Sequence, residues 1–398
     1  MSKNIKRNKF LPFHKPSIED EEISEVIDTL KSGWITTGPK TKLFEEKFRD
    51  YVGSKHAIAI NSCTAGLHLS LVAAGVGQGD EVITTPYTFA ATGEVIIEVR
   101  AKPIFVDVER DSLNIDPEEI RKNVTPNTKA IIPVHFAGQP CRMAEIMEIA
   151  QENNLVVIED AAHALAAEYN GKRIGNISDI TVFSFYATKN ITTGEGGMVT
   201  TNNSELAEKI RLLSLHGLSQ DAWKRYTTEG SWYYEIIDSG YKYNMSDIQA
   251  AIGLHQLRKI DRFQNVREKY AQMYNDGLKD FPEIIRPFQD KNSKHAWHLY
   301  VIQLNLDLID ITRDDFIKEL SENNIGTSVH FIPLHFHPYY RDNYVFNGGF
   351  PNAEYAFERV ISLPIYPAMS LEDVQDVIET VKKIVTKHRK ENRGTKND

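Results

Sequence analysis

A single lysine, Lys189, lies where an amine could act as a nucleophile. It comes just after the apolar run of residues 180–186, which is interrupted only by small hydroxyl residues and predicts a buried strand. Three glycines, Gly194, Gly196 and Gly197, follow the lysine. Desolvation beside such a strand lowers the pKa of an amine and frees it for a Schiff base with a carbonyl compound. A loop lysine directed into solvent is the alternative that this spacing alone leaves open.

A carboxylate, that of Asp160, ends another predicted buried strand, residues 155–160. In open α/β sheets, ligands bind at the carboxyl ends of the strands, so Asp160 and Lys189 are expected at one edge of the sheet. The pair suits pyridoxal phosphate (PLP). The lysine would hold the aldehyde carbon, and the aspartate would keep the pyridine nitrogen protonated so that the ring acts as an electron sink.

A turn of small residues, positions 61–66, joins the predicted strand 56–60 to a helix that carries Leu67, Leu71 and Ala74. This geometry directs free backbone N–H groups and the positive end of a helix at a phosphate. A plain strand-to-helix turn is the alternative. The sequence has no Walker loop, and no Gly-x-Gly-x-x-Gly fingerprint follows a predicted strand, which argues against a nicotinamide-dependent oxidoreductase.

The composition of the 398-residue chain, 41% hydrophobic and 25% charged, is that of a globular protein. Its net charge of −9 argues against nucleic acid or an anionic membrane as the main partner. No apolar run approaches the roughly 18 residues that span a bilayer, and the start lacks an apolar signal core, so we expect a cytoplasmic protein. Cys63 and Cys141 are expected to be reduced thiols, and no metal site is predicted.

The first half of the chain alternates predicted strands with predicted helices. This pattern indicates an α/β fold with a mostly parallel sheet and helices on both faces. We predict an N-terminal arm at residues 1–15, a large domain at 16–250, a smaller α+β domain at 251–386, and a charged tail at 387–398 that frays.

Helix starts are predicted where a side chain can accept a hydrogen bond from a free backbone N–H group. The residues predicted to do so are Ser17, Ser246, Thr312 and Ser370. Gln249 stands at the capping-box spacing from Ser246, and the helix that opens there is expected to run toward Asp280. Two further strands are expected at residues 296–304 and 327–331.

Four stretches, residues 61–66, 158–163, 181–197 and 240–247, resemble one protein family. They are similar to the DegT/DnrJ-type nucleotide-sugar aminotransferases, and the match runs in the same order over nearly the whole chain. The resemblance implies the PLP-dependent transferase fold type I, which is the fold of aspartate aminotransferase. It also implies PLP as the cofactor and a homodimer with shared active sites.

The family pattern implies a role for each matching residue. Lys189 forms the internal aldimine and later moves the proton, and Asp160 pairs with the pyridine nitrogen. His163 lies near the phenolic oxygen, and Phe89 stacks on the ring, although a core phenylalanine is the alternative for Phe89. The groups implied for the phosphate are the amides of Thr64 and Ala65, the hydroxyl of Ser184, and Asn244 from the neighbouring subunit.

The resemblance implies that L-glutamate gives its amino group to the cofactor and that the amino group passes to the 4-keto group of a UDP-linked sugar. Residues 10–13, 32–40 and 295–299 are similar to family members that aminate UDP-4-keto-arabinose for lipid A modification. Residues 329–340 and 347–350 depart from them. The same reaction on another nucleotide-linked 4-keto-hexose, as in routes to pseudaminic acid or bacillosamine-like sugars, is therefore the alternative.

Two side chains are expected to contact the substrate: Lys242, at the diphosphate, and His330. A solvated lysine is the alternative for Lys242. A non-catalytic regulatory relative would be expected to lose Lys189 or Asp160, and a dehydratase relative would carry histidine in place of the lysine. Both residues are present, which disfavours these two classes.

Overall fold

The computed structural model of the protein describes residues 7–219, 233–346 and 348–390. Its α-helices in these ranges are α1 (Asp20–Ser32), α2 (Pro39–Val52), α3 (Cys63–Ala73), α4 (Ala90–Glu98), α5 (Pro117–Asn123), α6 (Met143–Asn153), α7 (Ser204–Ser214), α8 (Asp247–Arg258), α9 (Ile260–Leu278), α10 (Arg313–Glu322), α11 (Pro338–Asn343), α12 (Pro351–Phe357) and α13 (Leu371–His388). Its β-strands there are β1 (His56–Ile60), β2 (Glu81–Thr84), β3 (Lys102–Phe105), β4 (Thr128–Ile132), β5 (Val156–Asp160), β6 (Glu168–Tyr169), β7 (Lys172–Arg173), β8 (Ile180–Ser184), β9 (Gly197–Thr201), β10 (Ile284–Ile285), β11 (Ser293–Lys294), β12 (Tyr300–Leu304) and β13 (Val360–Leu363).

The central sheet of the described chain has the strand order β1-β9-β8-β5-β4-β2-β3. The five strands β8, β5, β4, β2 and β3 each pair in parallel with the next one in this order. Strand β9 runs antiparallel to both of its neighbours, β8 and β1. The predicted mostly parallel α/β sheet is therefore confirmed. Because β5 and β8 are parallel neighbours, Asp160 at the end of β5 and Ser184 at the end of β8 lie at the same edge of the sheet.

Helices cover both faces of this sheet, and successive side chains of a strand serve opposite faces. In β8, Val182 packs in a cluster with side chains of α3 and α7. The next residue, Phe183, packs in a different cluster with Phe44 and Phe48 of α2 and with residues of α8. Burial on both faces explains why the strands read as continuous apolar runs in the sequence.

A second sheet, of β10, β12 and β13, packs with α9, α10 and α13 around a separate apolar cluster. Helix α9 contributes to both parts: Phe263 belongs to the core beside the central sheet, and Tyr270 belongs to the core beside the second sheet. The boundaries predicted at residues 250 and 386 stay predictions. In the described ranges no helix is both long enough and apolar enough to cross a membrane.

The predicted arm is anchored to this second part of the protein. Leu11 is buried in its core, and its backbone N–H donates to the carbonyl of Asn324 at 2.8 Å. Arg7 forms ion pairs with Asp373 and Asp376 near the start of α13. Residues 1–6 of the arm, residues 391–398 of the predicted tail and position 347 lie outside the described residues.

Three of the four predicted helix caps are confirmed, and one is wrong. Ser246, Thr312 and Ser370 each accept a backbone N–H of the helix that follows. Helix α1 is instead capped by Glu19, whose N–H donates to the Glu22 carboxylate at 2.9 Å. Ser17 is engaged elsewhere: its carbonyl accepts the side-chain amide of Gln256 at 2.7 Å.

The long helix predicted from Ser246 toward Asp280 is two helices, α8 and α9, that meet at Lys259. The backbone of Lys259 has φ −96° and ψ −4°, and its ammonium pairs with three glutamates of the α1 start. Gly253 lies within α8, where an added Cβ would stand 2.7 Å from the ring of Phe44. The break therefore lies at Lys259, where this ion-pair cluster forms, and not at the glycine.

The two strands predicted in the second half are also revised. The first begins only at Tyr300, because residues 296–299 cross to the central part of the fold: Ala296 N–H donates to Gly138 and Leu299 N–H donates to Ala137. Residues 327–331 are not a strand and form only an isolated bridge between Ser328 and Ser362.

Gly197, at the start of β9, allows the sheet to lie against the beginning of α3. An added Cβ would stand 2.8 Å from the nitrogen of Cys63 and 2.8 Å from the carbonyl carbon of Ser62, and neither backbone atom can rotate away. We predict that Gly197→Ala lowers the free energy of unfolding by about 1–3 kcal/mol, measured by denaturant titration. Gly77→Ala is the control, because no atom lies within 4 Å of its added Cβ. Equal stability of the two variants would contradict this packing.

Candidate active site

A cavity of about 610 Å³ opens where β5 and β8 end. The predicted site residues that line it are Thr64, Phe89, Asp160, His163, Ser184, Lys189 and His330. Ala65, Lys242 and Asn244 are not among the described residues that line it. The fold thus collects, in one cavity, residues that are spread over much of the sequence.

Lys189 is held by a turn after β8. Its backbone N–H donates to the carbonyl of Tyr186 at 2.9 Å, and Thr193 N–H donates to Phe185 at 3.0 Å, so the loop folds back onto the strand end. Burial lowers the pKa of Lys189 from 10.5 to about 8, although Asp160 acts in the opposite direction. A substantial fraction of the amine is therefore neutral near physiological pH, as a nucleophile or proton acceptor requires.

Asp160 is buried and accepts two hydrogen bonds. Thr92 Oγ1 donates to Oδ2 at 2.8 Å, and the N–H of Ala162 donates to Oδ1 at 3.1 Å. Burial raises the pKa of Asp160, while these hydrogen bonds and the nearby charge of Lys189 oppose the change. A cation bound directly to this carboxylate would stabilise its charged form, as a protonated pyridine nitrogen does.

His163 follows β5 and carries an unpaired polar atom. Its Nδ1 is buried and has no hydrogen-bond partner within the described chain. Burial lowers the pKa of His163 well below 6.5, and the charge of Lys189 lowers it further, so the imidazole is neutral. An unpaired buried nitrogen is costly, and a bound molecule with a polar group at this position would relieve the cost. This feature fits a ligand such as PLP.

The start of α3 forms the opposite side of the cavity. Ser62 caps this helix: its hydroxyl accepts the N–H of Ala65 at 3.1 Å, so that amide already has a partner. Ser184 Oγ accepts the N–H of Tyr186 at 3.3 Å, which leaves its hydroxyl hydrogen free to donate elsewhere. Burial raises the pKa of the Cys63 thiol well above 9, so this thiol stays protonated and unreactive.

Asn244 and Lys242 lie beside the end of β1. Lys242 Nζ donates to Asn244 Oδ1 at 2.7 Å, and Asn244 Nδ2 donates to Thr37 Oγ1 at 2.6 Å. Asn244 also forms a backbone bridge with Ile60. The structure of one chain therefore does not bring these two residues into the cavity that contains Lys189.

Several residues that line or support the cavity were not predicted. His14 of the arm has its Nε2 3.1 Å from the carbonyl of Ala187, two residues before Lys189, and Phe13 lies next to it in the cavity wall. Burial lowers the pKa of His14 to about 3. Thr92, the partner of Asp160, lies on α4, and its hydroxyl oxygen is also 2.9 Å from that of Thr88.

Two histidines of the second half, His330 and His335, lie in different surroundings. His330 lines the cavity, with Nδ1 2.8 Å from Ser362 Oγ, and burial lowers its pKa to about 4. His335 instead lies 3.1 Å from the carboxylate of Glu354. Across the described ranges no three side chains of the metal-binding types come together in a cluster.

The fold defines the class of protein. The structure is similar to the solved structure of the putative sugar aminotransferase Spr1654 from Streptococcus pneumoniae in its PLP form, with a TM-score of 0.88 and 34% sequence identity over 95% of this chain and 99% of that one. The PMP form of the same protein gives a TM-score of 0.89. The chain therefore has the fold of the PLP-dependent aminotransferases, and PLP is its cofactor.

The sequence then defines the family. The chain belongs to the DegT/DnrJ/EryC1/StrS aminotransferase family, whose model matches residues 16–382. It is 62% identical to the uncharacterized protein MJ1066 of Methanocaldococcus jannaschii over 96% of this chain and 100% of that protein. It is 53% identical to the spore coat polysaccharide biosynthesis protein SpsC of Bacillus subtilis over 96% of this chain and 98% of that protein. The chain is thus a sugar aminotransferase.

The lowered pKa of Lys189 gives a testable pH dependence. With the cofactor removed, we predict that the rate at which trinitrobenzenesulfonate modifies Lys189 rises with pH through a midpoint near pH 8, because the amine loses its proton there. In the urea-denatured chain the midpoint should move to about 10.4, the ordinary pKa of lysine. Peptide mass spectrometry measures the rate at this one residue. Identical native and denatured profiles would contradict desolvation of the amine.

Proposed function

We propose that the enzyme transfers the amino group of L-glutamate to the 4-keto group of a UDP-linked sugar, a pentose of the 4-keto-arabinose type. The observation that carries the proposal is the meeting of Lys189, Asp160 and His163 in one cavity. Each residue suits a different polar part of the cofactor. Lys189 has an amine of lowered pKa, Asp160 has a buried carboxylate that a cation would stabilise, and His163 has a neutral imidazole with an unpaired nitrogen.

When bound, PLP supplies an aldehyde that exchanges amino groups and a ring that delocalises negative charge from the reacting carbon. Lys189 would hold the aldehyde carbon, and Asp160 would hold the ring nitrogen. His163 would contact the phenolic oxygen. Phe89 would stack on the ring face. Its side chain lines the cavity and is 65% exposed, which supports a role in binding and not in the core.

Lys189 is also the group that would move the proton between carbons. Its pKa of about 8 lets it both accept and release a proton under neutral conditions. The surrounding histidines do not compete for that proton, because burial keeps His14, His163 and His330 neutral. Phe13 and His14 close one side of the cavity and help to exclude water.

The phosphate would be held by the amides of Thr64 and Ala65 and by the hydroxyl of Ser184, at the positive end of α3. The Ala65 amide would have to exchange its hydrogen bond to Ser62 for one to the phosphate. The remaining contact would be Asn244 of the partner subunit. This arrangement is supported by the place of Asn244 in the single chain, where it lies beside β1 and does not line the cavity. Lys242 of the partner subunit would reach the sugar diphosphate, and His330 would contact the sugar.

A homodimer is further supported by the surface of α1. The apolar residues of this helix, Ile23, Ile27 and Leu30, are 45–54% exposed, whereas Glu22 and Thr29 face inward. An apolar helix face turned to solvent is unusual in a monomer and is typical of a subunit interface.

A second candidate acceptor is a nucleotide-linked 4-keto-6-deoxyhexose of a surface polysaccharide pathway. The 53% identity to SpsC, which is named for spore coat polysaccharide biosynthesis, favours this candidate. The chemistry at Lys189 would be the same for both sugars, because only the groups around the keto carbon differ.

An absorbance titration tests the donor and the acceptor together. We predict that L-glutamate bleaches the absorbance of the PLP form of the enzyme and that UDP-linked 4-keto-pentose restores it. Lys189→Ala should lower turnover by at least about 100-fold, because the proton-moving group is lost. Lys55→Ala, which removes an exposed lysine that does not line the cavity, is the control. Restoration by a 4-keto-hexose alone would select the second acceptor, and no bleaching by glutamate would refute the donor.

Subunit mixing tests the shared site. We predict that Lys189→Ala and Asn244→Ala chains are each deficient at limiting PLP and that activity returns when they are mixed and allowed to exchange. Half of the dimers would then be mixed, and each mixed dimer would hold one intact site, so about a quarter of wild-type activity is expected. No recovery after exchange, verified by native mass spectrometry, would place Asn244 in the site of its own chain.

A further inference from the structure

The protonation of His298 is fixed by its neighbour Asn190. The side-chain nitrogen of Asn190 donates to the carbonyls of Ala296 at 3.0 Å and Leu165 at 3.3 Å. Because both partners are acceptors, the amide oxygen must be the atom that faces His298 Nδ1, at 3.0 Å. An amide oxygen only accepts hydrogen bonds, so the proton of this imidazole is on Nδ1.

The imidazole of His298 is also neutral and firmly held. Burial lowers its pKa well below 6.5, and the nearby charges of Lys189 and Arg267 lower it further. Arg267 Nη1 donates to the carbonyls of His298 at 3.3 Å and Ile365 at 2.7 Å. The ring packs against His163, with 4.3 Å between the ring centroids. Its orientation is therefore set by contacts on several sides.

These constraints leave one atom of the ring for a ligand. His298 lines the cavity, and its Nε2 bonds to no residue of the described chain. Unlike Nδ1 of His163, this nitrogen is not sealed within protein. A neutral imidazole that carries its proton on Nδ1 has only a lone pair on Nε2, so the atom can accept a hydrogen bond but cannot donate one.

The chemistry of an acceptor decides which substrate group it can bind. Carboxylates and phosphates have no proton to donate at neutral pH, so Nε2 does not bind the two carboxylates of the amino donor or the sugar diphosphate. The ammonium of the amino donor can donate a hydrogen bond, but this group reacts with the cofactor aldehyde and is the same whichever sugar accepts the amine. Sugar hydroxyls donate readily. We propose that His298 determines acceptor specificity: its Nε2 accepts a hydrogen bond from a sugar hydroxyl near the keto carbon. This inference rests on the proposed amination of a nucleotide-linked keto sugar.

The proposal predicts a preference between sugars. A site that hydrogen-bonds a hydroxyl rejects the analogue that lacks it, because the protein acceptor is left unpaired. For one neutral hydrogen bond we expect kcat/KM to be about tenfold higher for the nucleotide-linked 4-keto sugar that the enzyme aminates, pentose or hexose, than for its 2-deoxy or 3-deoxy analogue, whichever lacks the bound hydroxyl.

The variant that tests this is His298→Phe, which keeps a ring against His163 and removes the acceptor. The matched control is His295→Phe. His295 is also buried, but its Nδ1 accepts the N–H of Trp297 at 2.8 Å, and it does not line the cavity. We expect His298→Phe to abolish the preference for the hydroxylated sugar and His295→Phe to retain it.

The outcomes separate this inference from the proposed function. If the wild-type enzyme aminates the keto sugars but His298→Phe keeps the full preference, the role of His298 is refuted and the function stands. If His298→Phe lowers the reaction rate equally with all sugars and with glutamate, the role of His298 in specificity is also refuted, because such a defect is structural. If the wild-type enzyme aminates no keto sugar, the proposed function fails first.

A spectroscopic measurement tests the protonation state without relying on activity. In the holoenzyme with ¹⁵N-labelled histidine, compared with His298→Phe for assignment, Nε2 of His298 should resonate as an unprotonated nitrogen throughout pH 6–8. Its resonance should shift when a UDP-linked 4-amino sugar, the expected product, is added. A proton on Nε2, or a resonance that saturating amino sugar leaves unchanged, would overturn the proposal.

Discussion

Desolvation of charge at the ends of β5 and β8 is the constraint on which the site depends. Lys189 and Asp160 both lie in this buried region. Burial lowers the pKa of Lys189 and raises the pKa of Asp160, so that it favours the neutral form of each side chain. Withdrawing charged groups from water is costly, and the chain does not compensate by joining the two in a direct ion pair. A ligand that brought an aldehyde to the amine and a cation to the carboxylate would offset this cost.

Among the described residues, Asp160 receives hydrogen bonds from Thr92 and Ala162, but neither Asp160 nor Lys189 has an ion-pair partner. The imidazoles around the cavity are neutral, and the nearby guanidinium of Arg267 is turned toward backbone carbonyls and not toward a carboxylate. Behind the sheet edge, Glu159 is buried with His135, Ser178 and Thr181 as hydrogen-bond partners. Burial alone would raise the pKa of Glu159, but these partners hold it below its ordinary value, so its charge is satisfied there and not in the cavity.

The sequence was sufficient for the features that depend on local order along the chain. The buried strands, the caps at Ser246, Thr312 and Ser370, and the positions of Lys189 and Asp160 at strand ends follow from periodicity and turn chemistry. The family and the cofactor followed from motifs that lie within single stretches. Features at contacts between distant segments were missed: the helix break lies at Lys259, where the chain meets glutamates at the start of α1. His14 enters the cavity only because the arm is anchored on the second sheet, which no local pattern indicates.

That anchoring limits how the two parts of the protein can move. Leu11 forms a backbone bridge with Ile325 beside the second sheet. His14 contacts the carbonyl of Ala187, in the turn that precedes Lys189. Three residues of chain reach about 10 Å at full extension, so the arm is a short tether between the two sheets. Any wide separation of the sheets must first break the contact at Leu11 or the one at His14. The spacing of the two sheets is therefore mechanically linked to the loop that carries the reactive amine.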